Sequence, residues 1–274
     1  LPAVELRDVS KSFSGRPALR GITLSIENGE FLVIAGENGS GKSTLLRIIC
    51  GLLIPDEGEV RVFGLDTVRE WKRLARRIGV VLANERSLYW KLTGLENLEV
   101  FAGIYGVKDG RERALELLER LNLSEAKDQL VEKYSTGMRR KLLLAKALIH
   151  DPELLLLDEV LNGLDPKSYV EILRFLDELN RGGKTVVLVS HVLHDLPGRA
   201  RLLVMKDGRV ILDEKLSNVK ISGVKVKAVV NGEEIEELVP EERLGEFLRE
   251  LAERGAENIR VERDDLYSLL RRVL

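Results

Sequence analysis

Eight consecutive residues, Gly36-Glu37-Asn38-Gly39-Ser40-Gly41-Lys42-Ser43, carry the densest chemistry in the chain. Their glycines let the backbone curl so that successive N–H groups point inward, an arrangement that suits an anion. Lys42 is spaced to reach the outer phosphates of a nucleoside triphosphate, and the Ser43 hydroxyl can ligate Mg2+. With Thr44 in the helix that follows, Gly36, Glu37, Asn38, Gly39, Ser40, Gly41, Lys42 and Ser43 form the expected nucleotide-binding set. The plain alternative is a glycine-rich strand-to-helix turn without a ligand. A triphosphate site also needs a metal carboxylate and a group that handles water. Leu154-Leu155-Leu156-Leu157-Asp158-Glu159 supplies two acids at the end of an apolar run. Consecutive strand residues face opposite sides. Asp158 is therefore expected in the Mg2+ shell, and Glu159 as the base that polarises the attacking water. A buried strand ending in solvated acids is the bland reading.

Elements at both places must hold these groups. Phe31–Ala35 is uninterrupted and apolar, as in a strand buried on both faces, and Lys42 to about Cys50 reads as the helix after the glycine loop. Strands are expected at Ala3–Val9, Ile22–Ile26, Glu59–Phe63, Ile78–Leu82, Leu154–Leu157 and Thr185–Ser190, with Arg201–Lys206 and Arg209–Asp213 as a hairpin. Leu115, Leu118, Leu121 and Leu123 mark one amphipathic helix, Met138–Ile149 a second and Lys167–Asn180 a third. The alternation argues for an α/β core with a mostly parallel sheet, an antiparallel part at the start and a helical insertion. The expected division is a domain over 1–215, with its helical subdomain at about 85–150, and a small α+β appendage over 216–274. The appendage reads as Val224–Val230, a turn at Asn231-Gly232, a helix near Glu241–Arg254, the strand Asn258–Val261 and a last helix.

Composition narrows the function classes. The 274 residues carry 43 Lys+Arg against 45 Asp+Glu, a balance that gives no bias toward nucleic acid. No apolar run approaches the roughly 18–20 residues that cross a bilayer, and the opening residues lack the pattern of a secretory signal. A single cysteine, Cys50, leaves no disulfide framework. A soluble cytosolic protein is the expectation. Abundant Glu, Arg and Lys beside one glutamine, Gln129, resembles the composition of thermophile proteins.

Three further stretches give the constellation a family. Tyr134-Ser135-Thr136-Gly137-Met138-Arg139-Arg140-Lys141 lies between the glycine loop and the acidic strand; Asn162-Gly163-Leu164-Asp165-Pro166 follows the acids; His191 follows the strand Thr185–Ser190. In this order the motifs resemble the nucleotide-binding subunit of an ATP-binding cassette (ABC) transporter, over Ala3 to about Asp213. The resemblance implies a P-loop ABC ATPase core, ATP and Mg2+ as ligands, and two such subunits head to tail. Ser135 and Gly137, in the signature, would then contact the opposite subunit's ATP, and Asp165 would belong to the D-loop. His191 would contact the γ-phosphate and link it to Glu159. Phe13 occupies the place of an aromatic that stacks on adenine, or is a core-facing strand aromatic. Tyr89 and Trp90 would fill a groove against a membrane subunit, or form core of the helical subdomain. Arg139-Arg140-Lys141 reads as a solvated or phosphate-side charge cluster.

The family's pattern is not complete. Thr136 and Met138 stand where a second signature glycine and a glutamine are usual, and the glutamine expected after Ile78–Leu82 is replaced by Ala83 or Asn84, with Asn84 or Glu85 as substitutes. The Thr-containing signature, the stretch Glu85-Arg86-Ser87-Leu88-Tyr89-Trp90 and the ending Arg263-Asp264-Asp265-Leu266-Tyr267 look like the multidrug and daunorubicin-exporter branch. The resemblance implies an ATPase subunit that powers a separate integral membrane permease, by branch an exporter, at the inner face of the cell membrane. The competing expectations are a soluble ABC ATPase of a non-transport assembly, and a regulatory cassette of low activity.

Overall fold

The computed structural model describes residues 1–83, 87–193, 195–219, 224–230 and 232–263. The strands and helices, in chain order, are β1 Val4–Phe13, β2 Arg16–Ile26, β3 Phe31–Gly36, α1 Lys42–Ile49, β4 Glu57–Val62, β5 Leu65–Asp66, α2 Trp71–Leu74, β6 Ile78–Val81, α3 Gly94–Tyr105, α4 Gly110–Arg120, α5 Thr136–Leu148 and β7 Leu154–Asp158. They continue with α6 Pro166–Arg181, β8 Thr185–Val189, β9 Arg201–Lys206, β10 Arg209–Lys215, β11 Val224–Val230, β12 Glu233–Val239, α7 Leu244–Glu253 and β13 Glu257–Arg263. Contacts divide the chain into two units, one of Leu1–His191 with Asp195–Leu216, the other of Val192–His194 with Ser217–Leu274.

The larger unit holds two sheets. One is antiparallel in the order β2-β1-β4-β5; the other runs β10-β9-β3-β8-β7-β6 and is parallel except for the β9–β10 hairpin. Every residue of β3 and β7 is buried. That explains why their sequences are continuous apolar runs and not alternations: both faces of these strands are covered. A single core joins Leu6 and Ile26 of the antiparallel sheet, Leu45, Leu46 and Ile49 of α1, and Leu32, Ile34 and Leu156 of the parallel sheet. Truncating a fully buried leucine such as Leu45 to alanine is expected to cost about 2–5 kcal/mol, so α1 and the loop before it are firmly seated.

β1 continues past Val9 to Phe13 through register shifts against β2, which the polar run Ser10-Lys11-Ser12 concealed in the sequence. In α4 the buried side is Ala114, Leu117 and Leu118, while Leu115 is exposed and Leu121 and Leu123 lie beyond the helix. Leu115 is therefore a corrected marker, because a charged helix with several leucines fits more than one face. Lys141 is also corrected: it is buried and ion-paired with Glu171 of α6, not solvated. The start of α3 has a reciprocal cap, with Glu96 N–H donating to Thr93 Oγ1 at 3.2 Å and Thr93 N–H to Glu96 Oε2 at 2.7 Å.

The smaller unit has an antiparallel sheet in the order β12-β11-β13, with α7 packed on it through Leu251, Leu248 and Phe247. β12 is a strand that the sequence reading left unassigned. The turn residue Asn231 and the last helix expected over the final residues lie outside the described residues.

Candidate functional site

β3 ends in Gly36 and delivers the chain into the glycine loop at the edge of α1. Gly41 occupies the N-cap of α1 with φ +105°, and a Cβ there would come 2.5 Å from the Ala18 carbonyl oxygen. Only glycine fits both the backbone and the space. Because this cap has no side chain and the first turn carries no acid, the first N–H groups of α1 have no side-chain acceptor at the cap. Glu37, Asn38 and Gly39 are exposed, whereas Ser40 is buried and its hydroxyl has no hydrogen-bond partner among the described residues. Ser43 and Thr44 are partly exposed in the first turn.

Lys42 is buried and folds back over the loop. Its Nζ donates to the carbonyl oxygens of Gly36 at 2.9 Å and Glu37 at 2.7 Å. Burial pulls its pKa down, and the nearby carboxylates Glu159 and Asp158 pull it back up. The loop, the lysine and the two acids thus form one electrostatic cluster.

Asp158 closes β7 and is fully buried. Both of its carboxylate oxygens lack a hydrogen-bond partner among the described residues. Burial pushes its pKa up; the Ser43 hydroxyl and the Ala83 amide act in the opposite sense from positions that complete no hydrogen bond. A buried, unpartnered carboxylate beside a hydroxyl is an oxygen donor set of the kind that Mg2+ takes. The donors therefore fit that ion.

Glu159 turns out of the strand through a left-handed backbone, φ 53°, its N–H donating to the Val189 carbonyl at 3.1 Å. A non-glycine residue there is strained by of order 1–3 kcal/mol. The turn sends its side chain to His191, whose Nε2 lies 3.1 Å from Glu159 Oε1. β7 and β8 are neighbours in the parallel sheet, so the end of one strand and the residue just beyond the other meet at the carboxyl edge of the sheet.

Lys42, Ser43, Asp158, Glu159 and His191 are thus brought together. Ser135, Gly137 and Asp165 are not part of that cluster. Ser135 is the exposed N-cap of α5, its Oγ accepting from Met138 N–H at 3.1 Å. Gly137 is buried in the first turn of α5 against Ser168 and Asp165, and Asp165 is the N-cap of α6. Among the described residues no hydrogen bond joins this second cluster to the glycine loop. Phe13 is 48% exposed at the end of β1, with Lys11 Nζ 5.7 Å from its ring, so it is not a core aromatic. Tyr89 and Trp90 are likewise exposed and not core. Ala83 is described; Asn84 and Glu85, the other replacements considered for the missing glutamine, lie outside the described residues, as does His194.

Sequence reasoning missed Ser168, whose contact with Gly137 depends on how α5 and α6 pack. It also missed the exposed apolar side chains Leu52, Ile54, Val68 and Trp71, and the approach of Gly51 to the Thr67 carbonyl. The only hint in sequence was apolar residues flanking the Gly51 and Pro55 breaks.

Comparison with known proteins gives concordant matches. The family model described as ABC transporter matches residues 19–162. The chain is 37% identical over 215 residues to the ABC transporter ATP-binding protein NatA of Bacillus subtilis (strain 168), covering 76% of this chain and 87% of that one. It is 38% identical to the daunorubicin resistance ATP-binding protein DrrA3 of Streptomyces coeruleorubidus, covering 80% and 70%. Among solved structures, the dimeric post-hydrolysis state of the ATP-binding cassette MJ0796 bound to ADP and Pi matches with a TM-score of 0.70 and 32% identity, covering 78% of this chain and 98% of that one.

Proposed function

The chain belongs to the ABC transporter family as an ATP-binding, ATP-hydrolysing subunit, and from that premise we propose that it drives export through a separate membrane permease. The observation that carries the proposal is the orphaned, buried Asp158 beside the Lys42 loop, with Glu159 held on His191. In this reading the glycine loop and the N-terminus of α1 bind the phosphates, and Lys42 exchanges its two carbonyl partners for phosphate oxygens. Phe13 stacks on the adenine. Ser43 and Asp158 would hold Mg2+, which neutralises charge on the outer phosphates when bound. Glu159 accepts a proton from the attacking water, and His191 holds Glu159 in place and contacts the γ-phosphate.

Two subunits complete the site, since Ser135 and Gly137 stand apart from the loop of their own chain and face the nucleotide of the other. Asp165 lies at that same contact. ATP closes the pair and hydrolysis reopens it. The motion passes to the permease through exposed apolar side chains that water does not favour, among them Trp71 at 54% and Ile104 at 65% exposure, with Tyr89 and Trp90. Export is the direction favoured by the relative named for daunorubicin resistance. No helix among the described residues is long and apolar enough to cross a membrane, in keeping with a subunit held at the cytoplasmic face by its permease. Residues 1–215 are the catalytic domain in this reading, with its helical subdomain at about 85–150, and 216–274 an appendage.

The test is to tag the Glu159→Gln variant, trap it with Mg-ATP in detergent-solubilised native membranes and identify what co-purifies. A polytopic membrane protein retained with ATP and absent with the Lys42→Ala variant is the expected result. Soluble partners alone, under conditions where the ATP-bound pair forms, would contradict the transport reading.

A further inference from the structure

Gly137 lies in the first turn of α5 with ordinary helical backbone. Glycine there costs a helix about 1 kcal/mol relative to alanine, and its dihedral angles give no reason for it. The reason is space. A Cβ on Gly137 would fall inside contact distance of the Ser168 hydroxyl oxygen, 3.0 Å from Ser168 Cβ and 3.4 Å from Asp165 Oδ2. Turning the hydroxyl away would not clear the space, because Ser168 Cβ itself crowds the added atom and its backbone is anchored on the other side. Its N–H donates to Asp165 Oδ1 at 2.9 Å, and its hydroxyl, with that N–H, keeps the Asp165 carboxyl below the usual range. A second clamp further along the same two helices, the ion pair between buried Lys141 and half-buried Glu171, fixes α5 against α6.

We infer that Ser168 is a positioning residue for ATP turnover: its side chain is the surface on which Gly137 seats, and so it sets where the start of α5 presents Ser135 and Gly137. The inference rests on the proposed role of those two residues at the opposite subunit's ATP. It assigns the glycine a reason inside its own chain, independent of any close approach by nucleotide. Any shift of Asp165 would pass through Ser168 to the signature helix by direct contact.

A double-mutant cycle of Gly137→Ala and Ser168→Gly tests this, made in a Trp71→Phe background so that Trp90 is the sole tryptophan. The Trp90 ring lies 5.8 Å from the Arg139 guanidinium near the start of α5, so its emission reports on the seating of that helix. Gly137→Ala is expected to lower turnover at least tenfold and to shift the Trp90 emission. Ser168→Gly is expected to lower turnover two- to fivefold. The double variant should come within about twofold of Ser168→Gly and regain its emission, because the added methyl then has room. A double variant as impaired as Gly137→Ala would overturn the inference and return the glycine requirement to the nucleotide. So would a Gly137→Ala variant with parental turnover and emission. A parent without turnover above the Lys42→Ala control sinks the functional reading instead, and the emission cycle still decides the role of Ser168.

Discussion

Asp158 shows most plainly how a single residue can be wrong for the fold while suiting the chemistry proposed for it. A carboxylate with no hydrogen-bond partner in a fully buried position carries a desolvation cost that the Ser43 hydroxyl, the Ala83 amide and the Arg47 and Lys42 charges offset only in part. Its raised pKa means that ionisation is disfavoured in the fold, so at neutral pH the charge detracts from stability. Asp158→Asn should therefore raise the melting temperature of the nucleotide-free chain by a few degrees, at about 2–4 °C per kcal/mol for a protein of this size. The same variant should lose the further rise that Mg-ATP gives the parent. Differential scanning fluorimetry reads both, and a lower melting temperature without nucleotide would show that the carboxylate contributes to folding instead. Glu159 pays in a different currency, backbone strain, for its reach to His191.

Among the elements, the end of α5 offers a test by pH. His150 follows that helix, its ring stacked on Tyr105 at 3.9 Å and its Nε2 2.9 Å from the Ile78 carbonyl oxygen. Burial pulls its pKa down, against the opposing pull of that carbonyl and of Asp151. The unfolded chain takes up the proton near pH 6.5 while the fold keeps the ring neutral. Stability from this group is thus complete above about pH 6.5 and is lost as pH falls through the lower folded value. Urea unfolding at pH 7.5 and 5.5 should show a larger drop in the parent than in His150→Gln, and equal drops would remove His150 from the account. The elements also mark what was legible. The glycine loop and β7 could be read because their signals are local: backbone freedom, an unbroken apolar run, acids at its end. β12 could not, since Glu233, Glu234, Glu236 and Glu237 are poor strand formers. Its place depends on pairing with β11, including a Lys225–Glu236 ion pair at 2.5 Å. Leu115 and Lys141 failed for the same reason, as the face of a charged helix is chosen by its neighbours. The contact of Ser168 with Gly137 joins residues 31 positions apart and has no sequence signature at all.

At the scale of the molecule, the proposed ATP site falls into two halves that the chain does not join. In that reading one cluster would hold the loop, the metal carboxylate, the base and its histidine, and the other the signature and D-loop residues at the starts of α5 and α6. Such a separation would give a dimer its role, since two subunits placed head to tail would supply each loop with the other's signature. The most direct measurement is phosphate release from Mg-ATP by the purified parent, Lys42→Ala and Glu159→Gln chains, with light-scattering mass recorded alongside. Turnover is expected in the parent and none in Lys42→Ala. Glu159→Gln should lose about 10²–10⁴-fold, as removal of a general base does, and double its mass with ATP. Undiminished hydrolysis by Glu159→Gln, or an ATP-bound variant that stays monomeric, would contradict that reading.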